Sequence, residues 1–307
     1  MRVVKNQRST LKSGILQANR ALMKNLTLFI FITSLCFASK SFAQYRYGYF
    51  RVGVSVGTTN YLGDLDNDFT FQFTKPGFGA MGVYQFHPHM SARLQVFQGW
   101  VGATDELNAP PRKYRGLSFR SPVSEASLSL SYDLYGLIRN FKFRTKFNPY
   151  VFAGIGVFKF NPKAKLGNQW YDLQPLGTEG QYLPSTSNKQ YPKPYALTQL
   201  CVPIGGGIHL YLGKRWTLDL EMGWRKLFTD YLDDVSGKYP DRAAMLAYNP
   251  VAFQLSDRAD PNVWPNGNPY IRGDKTQADW YIYTAANVSY ILDWVKCPKF
   301  KKPARKR

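Results

Sequence analysis

This 307-residue chain is poor in three kinds of residue, and each scarcity removes a class of function: it has 3 cysteines, 3 histidines, and 20 acidic residues against 40 basic ones. Cys36 lies in an N-terminal leader, where Thr33-Ser34-Leu35-Cys36 lacks the small residue that a lipobox places before its cysteine. That leaves Cys201 and Cys297, too few for a disulfide framework. The histidines offer little acid-base or metal chemistry: His87 and His89 flank a proline as two ligands without a third, and His209 stands apart. Beyond the leader, no run of 18 or more apolar residues is free of charge, which excludes helical membrane spans. A membrane β-barrel escapes that exclusion, because only alternate residues of each strand face lipid.

The leader itself is present. Met23-Lys24-Asn25 forms a positive start, Leu26 to Phe37 an apolar stretch too short to span a bilayer, and Ser41-Phe42-Ala43 a small-x-small cleavage site before Gln44. We expect an N-terminal extension and signal peptide over 1–43 cleaved after Ala43, a barrel over 44–295 and a basic tail over 296–307. Met1 and Met23 both stand as starts. An excess of basic residues ordinarily points to nucleic acid, but an exported chain does not meet it, and a periplasmic partner is the better expectation.

Period-two alternation dominates the rest. It predicts strands at Tyr49–Thr58, Phe78–Phe86, Ala92–Trp100, Ser124–Tyr135, Asn148–Phe160, Leu200–Leu212, Trp216–Phe228 and Trp280–Trp294. In the fourth, Ala126, Leu128, Leu130, Tyr132 and Leu134 alternate with Glu125, Ser127, Ser129, Ser131 and Asp133. In the seventh, Trp216, Leu218, Leu220, Met222 and Trp224 oppose Asp219, Glu221 and Arg225.

Connections alternate in length. Short ones follow strands two, four and six (His87-Pro88-His89, Gly136 to Lys146, Gly213-Lys214-Arg215), while longer stretches follow the odd strands. An outer-membrane barrel with short periplasmic turns and long extracellular loops has this asymmetry. A soluble eight-stranded barrel or sandwich would show the same alternation, but Trp216, Trp224, Trp280 and Trp294 at the ends of apolar stripes match interfacial girdles. The expected fold is therefore an all-β, eight-stranded antiparallel transmembrane barrel. A barrel of that size is filled by its own side chains, so Asp219, Glu221, Arg225, Asp133 and Glu125 are expected to form an internal ion-pair network.

No catalytic constellation emerges, and neither a cofactor, a metal nor a small-molecule substrate is expected. Gly154-Ile155-Gly156 fails as a nucleotide loop: Lys159 occupies the third glycine position and Asn161-Pro162 follows in place of a helix. The glycines read as lumen-side residues that leave room for Tyr150, Phe152 and Phe158. Asp230, Asp233 and Asp234 lack the full alternation of a calcium loop and are expected to cap and hydrogen-bond their own loop. Cys201 and Cys297 fall at opposite ends of the barrel and are not expected to pair.

Tyr150 to Phe158, Phe160 to Ala164, Trp170 to Gln181 and Phe228 to Gly237 together resemble the PorG-like outer-membrane barrel family of Bacteroidetes, and the resemblance extends over Tyr49 to Leu292. It implies an accessory barrel of the type IX secretion system, linked to periplasmic ring proteins of that machine, and brings no catalytic residues. The leader upstream of Met23 and the tail from Val295 to Arg307 depart from the family pattern.

The sequence thus supports a non-enzymatic outer-membrane component that contacts lipid and anchors periplasmic partners, with no role for nucleic acid. Partner-binding candidates are Arg139, Lys142, Arg144, Lys146, Lys214, Arg215, Lys299, Lys301 and Lys302. The extracellular loop motif comprises Trp170, Tyr171, Asp172, Gln174, Glu179, Asp230, Asp233 and Asp234. The alternative is a structural or adhesive barrel acting through its long loops.

Overall fold

The computed structural model describes residues 48–66, 71–134, 147–185, 189–213, 215–259, 261–267, 269 and 271–292. Its strands are β1 (Tyr49–Leu62), β2 (Lys75–His87), β3 (Met90–Thr104), β4 (Ser118–Asp133), β5 (Phe147–Phe160), β6 (Lys163–Leu166), β7 (Gln169–Asp172), β8 (Thr198–Leu212), β9 (Trp216–Leu227) and β10 (Trp280–Leu292). Neighbours run β3-β2-β1-β10-β9-β8-β5-β4, and β4 pairs back to β3. The sheet is therefore closed, antiparallel throughout, and leaves no edge among its eight barrel strands. The hairpin β6–β7 grows from the long-loop end of β4, where Arg120 pairs with Lys163.

Each expected strand is present, several of them longer than expected at the long-loop end. β1 continues to Leu62, β3 to Thr104, and β4 begins at Ser118. The loops after β1 and β3 accordingly shrink to 63–74 and 105–117, while 161–197 and 228–279 remain long. Polar residues such as Thr59 and Asn60 carry these extensions. Backbone pairing maintains the strand there, without the apolar alternation from which strands are read.

Polarity is inverted relative to a water-soluble protein. Val54 is 61% exposed, Val56 67% and Ile155 70%, whereas Arg51, Glu125 and Arg225 are buried inside. Apolar residues cover the outside of β1, β3, β4, β5, β8 and β9 as a band around the barrel, an arrangement that is stable against lipid and not against water. Among the described residues no helix is long and apolar enough to cross a membrane; the strands make the crossing.

Room for the interior rings comes from a different set of glycines than expected. A Cβ on Gly205 would stand 2.3 Å from the Met222 carbonyl and 2.8 Å from the Phe152 ring, and one on its register partner Gly223 would also stand 2.8 Å from that ring. A Cβ on Gly156 would instead meet Cys201 Sγ, at 2.9 Å. Side chains stand across the sheet, so Phe152 of β5 occupies space vacated on β8 and β9.

The long loops are themselves folded. Loop 228–279 carries two short helices, α1 (Arg242–Tyr248) and α2 (Pro250–Ser256). Asp241 accepts from Ala244 N at 2.9 Å, and Asn249 from Val251 N at 2.9 Å ahead of α2, which opens with Pro250. Leu65, Leu173, Leu232, Val235 and Leu255 of the loops share one hydrophobic cluster with Phe158, Phe160 and Tyr281 of the strands. The loops form a cap whose core is continuous with the upper lumen.

Candidate functional site

Charged pairs fill the lumen in three levels. Nearest the cap, Arg225 Nε lies 3.2 Å from Glu125 Oε2, which also accepts from Tyr281 Oη at 2.5 Å. The Arg225 guanidinium sits over Phe97 and Tyr283, 5.6 and 5.3 Å from their ring centres. In the middle, Arg93 pairs with Glu221, Tyr150 Oη donates to Glu221 at 2.7 Å, and Arg93 covers the Phe152 ring at 4.3 Å. At the short-turn end, Arg51 lies 3.4 Å from Asp219. His209 there has a carboxylate at each ring nitrogen, Asp219 at 2.6 Å and Asp133 at 3.4 Å, and stacks on Tyr150 at 3.9 Å. Each of the five expected network residues takes part. Arg93, not singled out from the sequence, completes the network; its signal was a charge at an inward position of β3, next to the outward Leu94.

The cap has two arginine locks. Arg115 binds Asp105 through Nε at 2.8 Å and Nη2 at 2.7 Å and donates to the Asp64 carbonyl at 2.9 Å, tying loop 105–117 to loop 63–74. Arg272 lies 3.1 Å from Glu179 and 3.4 Å from Asp234, tying loop 228–279 to loop 161–197. Glu179 also accepts from the amides of Ser236 and Gly237 at 2.9 and 2.8 Å. Asp234 accepts from Tyr195 Oη at 2.7 Å and from Thr178, in the left-handed region at φ 68°.

A second acidic group lies beside these locks. Tyr61 Oη is 2.6 Å from Asp233 and 3.0 Å from Asp279, and those acids also accept from Val235 N and Leu232 N. A phenol has one proton to give, so a second shared proton is needed to satisfy both contacts. Burial, reinforced by neighbouring carboxylates, holds Asp233 and Asp279 well above the usual carboxylate range. Burial likewise pushes Asp230 up to about 8 and Asp234 up to about 6, the latter against the opposing pull of Arg272. Among the described residues no group of three or more His, Cys, Asp or Glu side chains is arranged to hold a metal ion.

The structure thus brings Glu179, Asp230, Asp233 and Asp234 into one region of the cap. Trp170, Tyr171 and Asp172 stand on β7, where Tyr171 packs against the cap's hydrophobic cluster and Trp170 is exposed; Asp172 pairs with Lys163 at 2.9 Å, and Gln174 donates to the Tyr195 carbonyl at 3.2 Å. Of the expected basic positions, only Arg215 is described, with Nη1 2.8 Å from Tyr290 Oη. Arg139, Lys142, Arg144, Lys146, Lys214, Lys299, Lys301 and Lys302 lie outside the described residues, as do Cys297 and the leader. Cys201 faces inward and is buried, and His87 and His89 sit side by side at the β2–β3 turn with ring centres 5.6 Å apart.

Closed strands, an apolar exterior, a filled lumen and long loops at one end define a membrane-spanning β-barrel of the outer-membrane type, its cap extracellular. Residues 26–174 match the family profile described as a domain of unknown function, DUF6089. Among solved structures, the chain is similar to neisserial surface protein A (10% identity, 78% of this chain and 96% of that one, TM-score 0.39). It is also similar to the outer membrane protein OprG from Pseudomonas aeruginosa (11% identity, 81% and 97%, TM-score 0.37). A third is a major outer membrane protein from Thermus thermophilus (10% identity, 80% and 99%, TM-score 0.37). No curated protein matches the sequence.

Proposed function

We propose that this chain is a non-enzymatic outer-membrane component of the type IX protein secretion system that anchors periplasmic partners at the membrane. The observation that carries the non-channel reading is the lumen. Arg225–Glu125, Arg93–Glu221 and Arg51–Asp219 fill it level by level, so it offers neither a path nor an open cleft for substrate. The work of such a barrel falls to its two ends. Assignment to secretion rests on the runs from Tyr150 to Gln181 and from Phe228 to Gly237, which resemble the PorG-like family. The basic short-turn side, with Arg215, Lys214, Arg139 to Lys146 and the 296–307 tail, suits an acidic periplasmic partner.

Deleting the gene and measuring secreted cargo in the medium tests the reading. Loss of cargo is expected. Intact secretion with impaired attachment would overturn the reading in favour of an adhesive barrel working through its folded cap. Removing Lys296 to Arg307 is expected to lower recovery of periplasmic partners after mild detergent extraction, and unchanged recovery would remove the tail from the docking face.

A further inference from the structure

Charge is sorted by direction on the eight barrel strands. Their four carboxylates, Glu125, Asp133, Asp219 and Glu221, all face inward and are buried. Arg120, Lys159 and Lys226 are exposed on the outside, and no acid of these eight strands accompanies them there; on the hairpin beside Arg120, the exposed Asp172 is paired with Lys163. Lys159 and Lys226 continue an outward apolar series at its extracellular end: Val151, Ala153, Ile155 and Val157 precede Lys159, and Trp216 to Trp224 precede Lys226. Lys226 Nζ lies 5.9 Å from the centre of the Trp280 ring, as an interfacial cation on a girdle aromatic would. Lys159 and Lys226 leave the apolar band where the lipid headgroups begin, and Arg120 stands four residues beyond the Ser124 partner of Lys159 on β4, so the long cationic chains reach toward phosphate at two heights.

Lys159 also closes a groove. On the lipid-facing side of β2 to β5, Phe78, Ala80, Val96, Ala126 and Val157 bound a trough of about 580 Å³ that ends at Lys159. Its open lining combines the small Ala80 and Ala126 with the larger Phe78, Val96 and Val157, against which an acyl chain can lie. A second trough of about 620 Å³ over β8 to β10, between Ile208, Leu220 and Met222, has no outward charge at its rim.

We infer that the β2–β5 face binds a phosphorylated glycolipid of the outer leaflet, with an acyl chain along the groove and the headgroup phosphates held by Lys159 and Arg120. Charge complementarity selects this occupant: the cations stand at the extracellular end of the apolar band, and the outer leaflet there presents phosphates on a sugar headgroup. The inference rests on the outer-membrane placement proposed above and not on the secretion role.

The test uses the full chain, delipidated in detergent, offered diphosphoryl lipid A, enzymatically dephosphorylated lipid A or phosphatidylglycerol, and examined by native mass spectrometry. Lipid A is expected to be retained in preference to the other two. Lys159→Ala should lower its retention about five-fold, and adding Arg120→Ala should do so by a similar factor again. Lys159→Arg should keep it, and Ala126→Phe should lower it by filling the groove while leaving the charge. Equal retention of the dephosphorylated lipid or of phosphatidylglycerol would overturn the inference. So would a doubly substituted barrel that still shows heat-modifiable mobility and binds lipid A as the parent does. Because the readout is lipid on purified protein, its failure is separate from any failure of the secretion assay.

Discussion

Arg225 and Glu125 show what a single buried pair does in this barrel. Both are fully enclosed, and Tyr281 and the Gly223 carbonyl supply further hydrogen bonds to them. Removing one partner strands the other charge without water, at a cost of about 3–5 kcal/mol, whereas replacing both by apolar residues of similar volume relieves most of that penalty. We therefore expect Arg225→Met and Glu125→Leu each to lower the urea midpoint of the refolded barrel markedly. The combination Arg225→Met with Glu125→Leu should be less destabilised than the sum of the single changes. A double variant that loses the full sum would mean that the two side chains act independently. Gly205 sets a different limit, since any Cβ there meets the Met222 backbone at 2.3 Å and no rotamer change relieves the contact.

The cap is the element whose behaviour depends on pH. Asp230 and Asp234 have an ordinary value of 3.8 and are raised to about 8 and about 6 in the folded cap. A raised carboxyl binds its proton more tightly when folded, so its contribution is fully present below pH 3.8 and is lost as pH climbs through 6 and 8. Amide exchange in 228–237 is expected to be slow at pH 5 and faster at pH 9, with Asp230→Asn flattening the change; a pH-independent profile in the parent, after correction for intrinsic exchange, would refute this. Arg272→Met should loosen loops 161–197 and 228–279 together, because it leaves Glu179 and Asp234 buried without their cation. These locks leave little trace in the sequence. Strands announce themselves by alternation because lipid and lumen demand opposite chemistry at successive residues, and Ser124 to Tyr135 shows it directly. Arg272 and Glu179, 93 residues apart, meet only after both loops fold, so neither carries a local signature. The hairpin β6–β7 and the helices α1 and α2 were missed for the same reason: each is too short for its periodicity to rise above loop composition.

For the molecule as a whole, two seals stand in series. Three charged levels block the lumen, and above them the cap shares its hydrophobic core with the upper strands through Phe158, Phe160 and Tyr281. Either seal alone suffices to stop ions, since a buried guanidinium–carboxylate pair leaves no water column and the packed cap admits none. Emptying all three levels by changing Arg51, Arg93, Glu125, Asp219, Glu221 and Arg225 to serine should therefore give no unitary current in a planar bilayer while the cap remains. Shortening loops 161–197 and 228–279 alone should likewise leave the barrel closed. Current is expected only when both changes are combined, because only then is there an aqueous path from one face to the other. A parent barrel with stable stepwise conductance would contradict the filled lumen and return the protein to the class of diffusion pores. Conductance from the lumen variant alone would show instead that the cap is leaky and that the charged levels are the barrier, shifting the cap's role from closure to contact with partners outside the cell.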